Sequence, residues 1–200
     1  MRTRRRQQKH DSNPRKPQNG SPSGLPLPMH EHIHILVTGG TIDSIFKAEV
    51  DTVVPRKKSI LRDYLRNVKP YFDFTITQIC MKDSRHLTDA DRRKLLQAIT
   101  ESKFAKIMVT HGTYTMPDTA RYLSVNLPDD HNKTIILTGS MIPIDGFTMS
   151  DGPFNLGFAI ASMAYLDYGI YVCMNGRIFT PDEVIKQLDV GRFVSVFGEK

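Results

Sequence analysis

The sequence predicts an α/β fold: three layers, with a mostly parallel sheet covered by helices on both faces. Three observations predict it. From about residue 32 onward, segments of strand character alternate with segments of helical spacing. The strand segments are almost wholly apolar, as strands buried on both faces must be. One local pattern also recurs: "ILVTGG", "IMVTHG" and "IILTGS" each run three apolar residues into a threonine, with a glycine within two positions.

The elements follow in order. "HIHILVT" (32–38) is a β-rich run stopped by Gly39 and Gly40. Residues 57–68 have helical spacing, and "FDFTITQICM" (72–81) alternates like a strand. Residues 87–102 open with Thr88 and carry Asp91 three places later, an approximate capping box before Leu95, Leu96 and Ile99. "KIMVT" (106–110) is a strand, and 116–127 is a helix with Pro117 in its permitted first turn. "TIILT" (134–138), the apolar helix 152–166 and "GIYVCMN" (169–175) complete the alternation.

In an open parallel sheet, ligands sit beyond the carboxyl ends of the strands. The recurring pattern therefore places Thr38, Thr41, Thr110, Thr113, Thr138 and Ser140 near one crevice. Hydroxyls are poor nucleophiles unless a base and a set of oxyanion donors stand beside them. The glycine turns at Gly40 and Gly112 expose backbone N–H groups, and a following helix adds its positive end. These ingredients suit attack on an acyl or amide carbon, and they suit phosphate binding. For a dinucleotide, "VTGGTIDSIF" lacks the third glycine that lets helix and strand pack closely, and nothing follows the Walker pattern.

Six motifs, in order, carry a specific resemblance: "ILVTGGTID", "KDSRHLTDADR", "VTHGTYTM", "TIILTGSMIP", "SDGPFNLGFAIA" and "MNGRIFTPDEVIK…GRF". Over about residues 32–194 the chain resembles the bacterial-type L-asparaginases, and most of all a short branch consisting of the amino-terminal α/β domain alone. The resemblance implies the Rossmann-like amino-terminal asparaginase fold. It also implies that Thr41 is the nucleophile that forms an acyl-enzyme, that Ser84 holds a substrate carboxylate, and that Thr113 is a second catalytic threonine. Lys186 then hydrogen-bonds Thr113 and moves its proton, which requires burial or a positive neighbour to lower the pKa of its amine.

Three departures from the family pattern, at four positions, stand out. Tyr114 stands where the family has an aspartate that contacts the substrate's α-ammonium. Ser44 replaces a lysine, and Phe46 takes the place of a lid tyrosine. Arg85 follows Ser84 where a neutral residue is usual. An anion lost at 114 and a cation gained at 85 imply a more anionic substrate, or one without an α-ammonium, with Ser84 and Arg85 at its carboxylate end.

Residues 1–30 hold seven Lys and Arg residues against one acid, which accounts for the whole formal net charge of +6. Residues 31–200, the asparaginase-like domain, are neutral overall. The tail is rich in Pro, Gly, Ser, Gln and Asn, and its composition predicts disorder. Its charge predicts weak contact with nucleic acid at most. It has neither the amphipathic pattern of a transit peptide nor the apolar run of a secretory signal.

Two cysteines in apolar strands, Cys80 and Cys173, suggest a reducing cytoplasm. His30, His32 and His34 share one face of the first strand but lie opposite the crevice, so no metal site is expected there. His111 is expected to pack behind the crevice. The resulting expectation is an asparaginase-like amidohydrolase that needs no cofactor or metal, lies outside the membrane and forms a homodimer or higher homo-oligomer. Its site comprises Thr41, Thr113 and Lys186 for chemistry and Gly40, Ser84, Arg85, Gly112 and Tyr114 for binding. The alternative is an asparaginase-fold binding protein that has lost turnover.

Overall fold

A computed structural model describes residues 32–146 and 148–198. The tail, His30, and the helical or extended state of residues 1–31 lie outside the described residues. The strands are β1 (His32–Gly39), β2 (Ser44–Lys47), β3 (Thr52–Pro55), β4 (Asp73–Lys82), β5 (Lys106–Thr110), β6 (Thr134–Thr138), β7 (Gly169–Met174), β8 (Arg177–Phe179), β9 (Val184–Gln187) and β10 (Arg192–Ser195). The helices are α1 (Leu61–Val68), α2 (Asp89–Glu101), α3 (Met116–Asn126) and α4 (Gly152–Met163).

The main sheet runs β4-β1-β5-β6-β7-β8. Its first five strands are parallel and β8 returns antiparallel to β7. Alternate residues of each strand face opposite sides, and the core divides accordingly. Leu36, Val109, Leu137 and Val172 pack with Leu95, Ile99 and Leu123 of α2 and α3. Ile35, Val37, Met108 and Ile136 pack with Leu61, Leu65, Leu156 and Met163 of α1 and α4. Helices on both faces explain why the strand segments lack polar alternation.

The capping box at α2 is present: Thr88 accepts from the Asp91 N–H, and Asp91 accepts from the Thr88 N–H at 2.9 Å. Asp91 also accepts from Lys82 Nζ at 2.7 Å, which ties the end of β4 to the start of α2.

Two hairpins lie outside the main sheet and leave no periodic signal in the sequence. β2 and β3 form one, β9 and β10 the other. The proposed helix 57–68 begins only at Leu61 because Asp43 captures the preceding turn. Its carboxylate accepts from the Ser59 hydroxyl at 2.9 Å and the Ile60 N–H at 2.8 Å.

Candidate active site

The connections after β1, β4 and β5 meet above the carboxyl edge of the sheet and enclose a cleft of about 150 Å³. They meet at backbone distance. Gly40 has φ of 82°, in the left-handed region that favours glycine. A Cβ there would stand 2.4 Å from the Cα and N of Gly112. A Cβ on Gly112 would stand 2.7 Å from the Ser84 side chain. Gly40, Gly112 and Ser84 thus form the floor, and the glycines are required because the three loops touch.

Thr41, Ser44, Asp83, Ser84, Arg85, Thr113, Tyr114 and Met141 line the cleft, together with Thr52, Val53 and Pro55 of the β2–β3 hairpin. The Thr41 hydroxyl takes no hydrogen bond from the described residues, and its residue opens the short 3₁₀ turn Thr41–Asp43. Ser44 is buried and donates to the Gly40 carbonyl at 2.9 Å, so it locks the turn. Phe46 is not among the lining residues; its cross-strand partner Val53 is.

Lys186 reaches the cleft from β9. Its Nζ donates to Thr113 Oγ1 at 2.7 Å. Burial, and then the nearby positive charge of Arg85, hold the amine's pKa below its ordinary 10.5, against the opposing pull of Asp83 and Asp151. Burial and a positive neighbour, the two influences that the resemblance requires at Lys186, both act in that direction.

Tyr114 is half exposed at the rim. Its ring lies between two cations: Lys186 Nζ is 4.2 Å from the centroid and the Arg85 guanidinium carbon 4.9 Å. Such contacts contribute ~0.5–2 kcal/mol. The Arg85 guanidinium enters the cleft already paired. Its Nε donates to Asp83 Oδ1 at 3.0 Å and its terminal nitrogen to Asp83 Oδ2 at 2.6 Å. The "KDSR" run carries both partners two residues apart, and Asp83 is a site residue absent from the set that the sequence implies. The 3₁₀ turn Ser84–His86 folds Arg85 back onto Asp83, which caps that turn.

The recurring hydroxyls do not all face the cleft, and Thr110 Oγ1 is buried without a hydrogen-bond partner among the described residues. Thr41 and Thr113 face the cleft, whereas Thr38, Thr110, Thr138 and Ser140 are fully buried. Thr38 Oγ1 donates to the Thr110 carbonyl at 3.0 Å and Thr138 Oγ1 to the Cys173 carbonyl at 2.9 Å. At the end of a parallel strand the neighbouring carbonyl lacks its ladder donor, and the threonine supplies one. The crevice expected to hold all six hydroxyls therefore holds two.

His111 lies behind the floor, fully buried, with Nδ1 2.7 Å from the Gly112 carbonyl. Burial pushes its pKa down to about 4, so the ring is neutral at pH 7. His32 and His34 spend ring nitrogens on Thr75, Thr77 and Ser102 at 2.8–2.9 Å, and both rings contact Phe104. Among the described residues no cluster of three His, Cys, Asp or Glu side chains is placed to hold a metal. A depression of about 200 Å³ near Leu127, His131, Tyr168 and Pro181 opens at the amino ends of β6 and β7. It is also lined by Ser124 and Asp129, but His131 Nδ1 is taken by the Lys133 N–H at 3.0 Å rather than by the Ser124 hydroxyl.

Residues 32–192 match the family described as asparaginase, N-terminal. The chain belongs to the asparaginase family. It is 29% identical over 180 residues to the glutaminase-asparaginase of Acinetobacter glutaminasificans, covering 84% of this chain and 54% of that protein. It is 32% identical over 195 residues to L-asparaginase 2 of Escherichia coli K12, covering 88% and 52%. The solved structure of a probable cytoplasmic L-asparaginase from Campylobacter jejuni superposes with a TM-score of 0.70 at 29% identity, over 82% of this chain and 53% of that one. This asparaginase-family chain thus spans about half the length of the relatives it matches. The expected α/β fold is the observed one. No helix among the described residues is long and apolar enough to cross a membrane.

Proposed function

We propose that the chain hydrolyses the terminal amide of a small carboxylate-bearing molecule, with Thr41 as the nucleophile. The observation that carries this reading is the 2.7 Å contact between Lys186 Nζ and Thr113 Oγ1, in a cleft that the unencumbered Thr41 hydroxyl also lines. Thr41 Oγ1 attacks the amide carbon as its proton passes to the Thr113–Lys186 pair, and the exposed loop N–H groups stabilise the oxyanion of the tetrahedral centre. The C–N bond breaks, and a proton delivered through Thr113 and Lys186 lets ammonia leave. Water then attacks the Thr41 ester and releases the acid. A lysine whose pKa is lowered towards the working pH can both accept and return that proton.

The substrate class follows from the charges at the cleft. Its lining includes one carboxylate, Asp83, and both of its oxygens are held by Arg85. Tyr114 offers an aromatic face already contacted by two cations. A substrate ammonium would therefore meet positive neighbours and no free anion. A charge-assisted hydrogen bond contributes ~1.5–3 kcal/mol, so its absence weakens binding of an amino-acid amide by roughly tenfold to a hundredfold. The preferred substrate on this reading is an amide without an α-ammonium, such as succinamate.

The same reading includes a second copy of the chain to complete the cleft, a cytoplasmic location, and no more than weak nucleic-acid contact through residues 1–30. Sedimentation, cell fractionation and deletion of residues 1–28 test these in turn.

The decisive assay is ammonia release from succinamate, asparagine and glutamine by the full chain and by Thr41→Ala. Release that prefers succinamate and vanishes in the variant supports the proposal. Preference for asparagine overturns the substrate class. The position of Tyr114 between two cations also favours a second reading, a binding protein without turnover. Ligand binding retained by both proteins, with no ammonia from either, establishes that alternative.

A further inference from the structure

Lys186 stands on a ribbon, β9–β10, that shares no ladder with the main sheet. An isolated two-stranded ribbon is marginally stable at best, so tethers must set where the lysine sits. The buried side chains of Val184 and Phe193 anchor one face of the ribbon in the core. Arg121 of α3 donates to the Val184 carbonyl at 2.6 Å.

A further tether arrives from the turn between β7 and β8. Asn175 Oδ1 accepts from the Phe193 N–H at 3.0 Å, and Phe193 is the cross-ribbon partner of Lys186. Asn175 is itself fixed, in the left-handed region with φ of 55° at the tight turn between β7 and β8. Its own N–H donates to Asn155 Oδ1 at 3.1 Å. Asn155, fully buried on α4, donates through Nδ2 to the Gly139 carbonyl at 3.0 Å and to Asp151 Oδ2 at 2.9 Å. Asp151 accepts from the N–H groups of Met141 and Ile142 at 2.9–3.0 Å, and Met141 lines the cleft.

An unbroken run of hydrogen bonds therefore joins one wall of the cleft to the ribbon that carries Lys186. A buried amide costs stability unless its groups are paired. Asn155 pairs its carboxamide with the cap of its own helix and with two other segments, something an apolar residue at that place on α4 would not do. We propose that Asn155 and Asn175 are positioning residues that set the reach of Lys186 to Thr113 by coupling the β9–β10 ribbon to the loop after β6. The functional part of this inference rests on the reading that Lys186 and Thr113 work together in amide hydrolysis.

The test is Asn175→Gly, which suits the positive φ and deletes only the acceptor. With succinamate, kcat is expected to fall at least tenfold while KM stays within about twofold, because substrate contacts are untouched. The ascending limb of the pH profile moves to higher pH as the amine loosens from its partly buried place beside Arg85, Asp83 and Asp151. Asn175→Asp, which keeps an acceptor and tolerates the same backbone, restores kcat to within about threefold of the parent. An Asn175→Gly protein with the parent's kcat and pH limb overturns the proposal.

Hydrogen exchange reads the tether without catalysis. In the unmodified chain the Phe193 amide is expected to be protected, and Asn175→Gly to accelerate its exchange at least tenfold. If the parent hydrolyses no amide, the functional reading fails while this exchange still judges the tether. If Asn175→Gly does not fold, a Phe193 amide that exchanges in the parent as fast as an exposed turn amide overturns the tether.

Discussion

Lys186 Nζ lies 2.7 Å from Thr113 Oγ1, although 73 residues separate the two in the chain. The threonine follows a buried central strand, whereas the lysine rides a ribbon outside the main sheet. If the pair acts as one unit, Lys186→Met and Thr113→Val should each lower kcat by ~10²–10⁴. The double variant should fall little further, because each single change already breaks the unit. Fully additive losses in ammonia-release assays would separate the two groups.

The lowered pKa of Lys186 has a thermodynamic counterpart. Burial and Arg85 disfavour the charged amine in the folded chain. Between the lowered value and the ordinary 10.5, the unfolded chain therefore binds more protons than the folded one. The penalty is fully present below that window, and stability rises with pH across it. Relative to Lys186→Met, the parent should gain stability as pH climbs towards 10.5. Urea unfolding of both proteins at stepped pH measures the narrowing gap, and parallel curves would contradict it.

The floor of the cleft predicts a severe steric effect. A Cβ at Gly112 would meet Ser84 Cβ and Oγ at 2.7 Å, and neither loop can retreat without breaking its strand-end pairing. Gly112→Ala should cost ~1–3 kcal/mol of stability, the usual range for an overpacked site. It should lower ammonia release by more than the loss of folded protein accounts for. A folded Gly112→Ala with parental activity would show that the loops need not touch.

The parallel strands were legible because burial on both faces leaves a wholly apolar run, as in "KIMVT" and "TIILT". The hairpins were not. β2, β3, β9 and β10 have four residues each and are partly exposed, too short for a period to register. Lys186 was therefore reached only through family resemblance; spacing alone marks it as one more solvated lysine. The threonine repeat implies more cleft hydroxyls than exist, because sequence cannot tell a hydroxyl facing a ligand from one donating to a neighbouring carbonyl, as Thr38 does to Thr110. In sequence Arg85 is an added cation, and only the fold of the Ser84–His86 turn pairs it with Asp83. The "MNG" turn signals a hairpin, but nothing local says that the Asn175 side chain reaches Phe193.

Acid should destabilise the domain in two stages. Burial depresses the His111 pKa from 6.5 to about 4, so its contribution is present above 6.5 and is lost as pH falls through about 4. Burial would raise the Asp91 pKa, but Lys82 and the Thr88 N–H and hydroxyl outweigh it and bring it from 3.8 to about 2. That contribution is present above 3.8 and is lost as pH falls through about 2. His111→Asn, whose amide can replace the Nδ1 donor to Gly112, should flatten the upper stage and leave the lower one. Circular dichroism melts at stepped pH test this, and an unchanged slope between pH 6.5 and about 4 would assign that stage to another group.

Tyr114→Asp restores an anion at the one cleft position where the aromatic ring faces both Arg85 and Lys186. The new carboxylate gives a substrate ammonium a counter-ion, and a charge-assisted hydrogen bond contributes ~1.5–3 kcal/mol. The ratio of kcat/KM for asparagine to that for succinamate should rise roughly tenfold to a hundredfold. The gain should come partly from poorer use of succinamate, whose carboxylate would then face a like charge. The carboxylate also raises the Lys186 pKa, which moves the ascending limb of the pH profile upward. Tyr114→Phe, which keeps the ring and removes only the hydroxyl, should leave both the ratio and the limb in place. If the two variants change specificity alike, the phenol oxygen and not the missing charge sets the substrate preference.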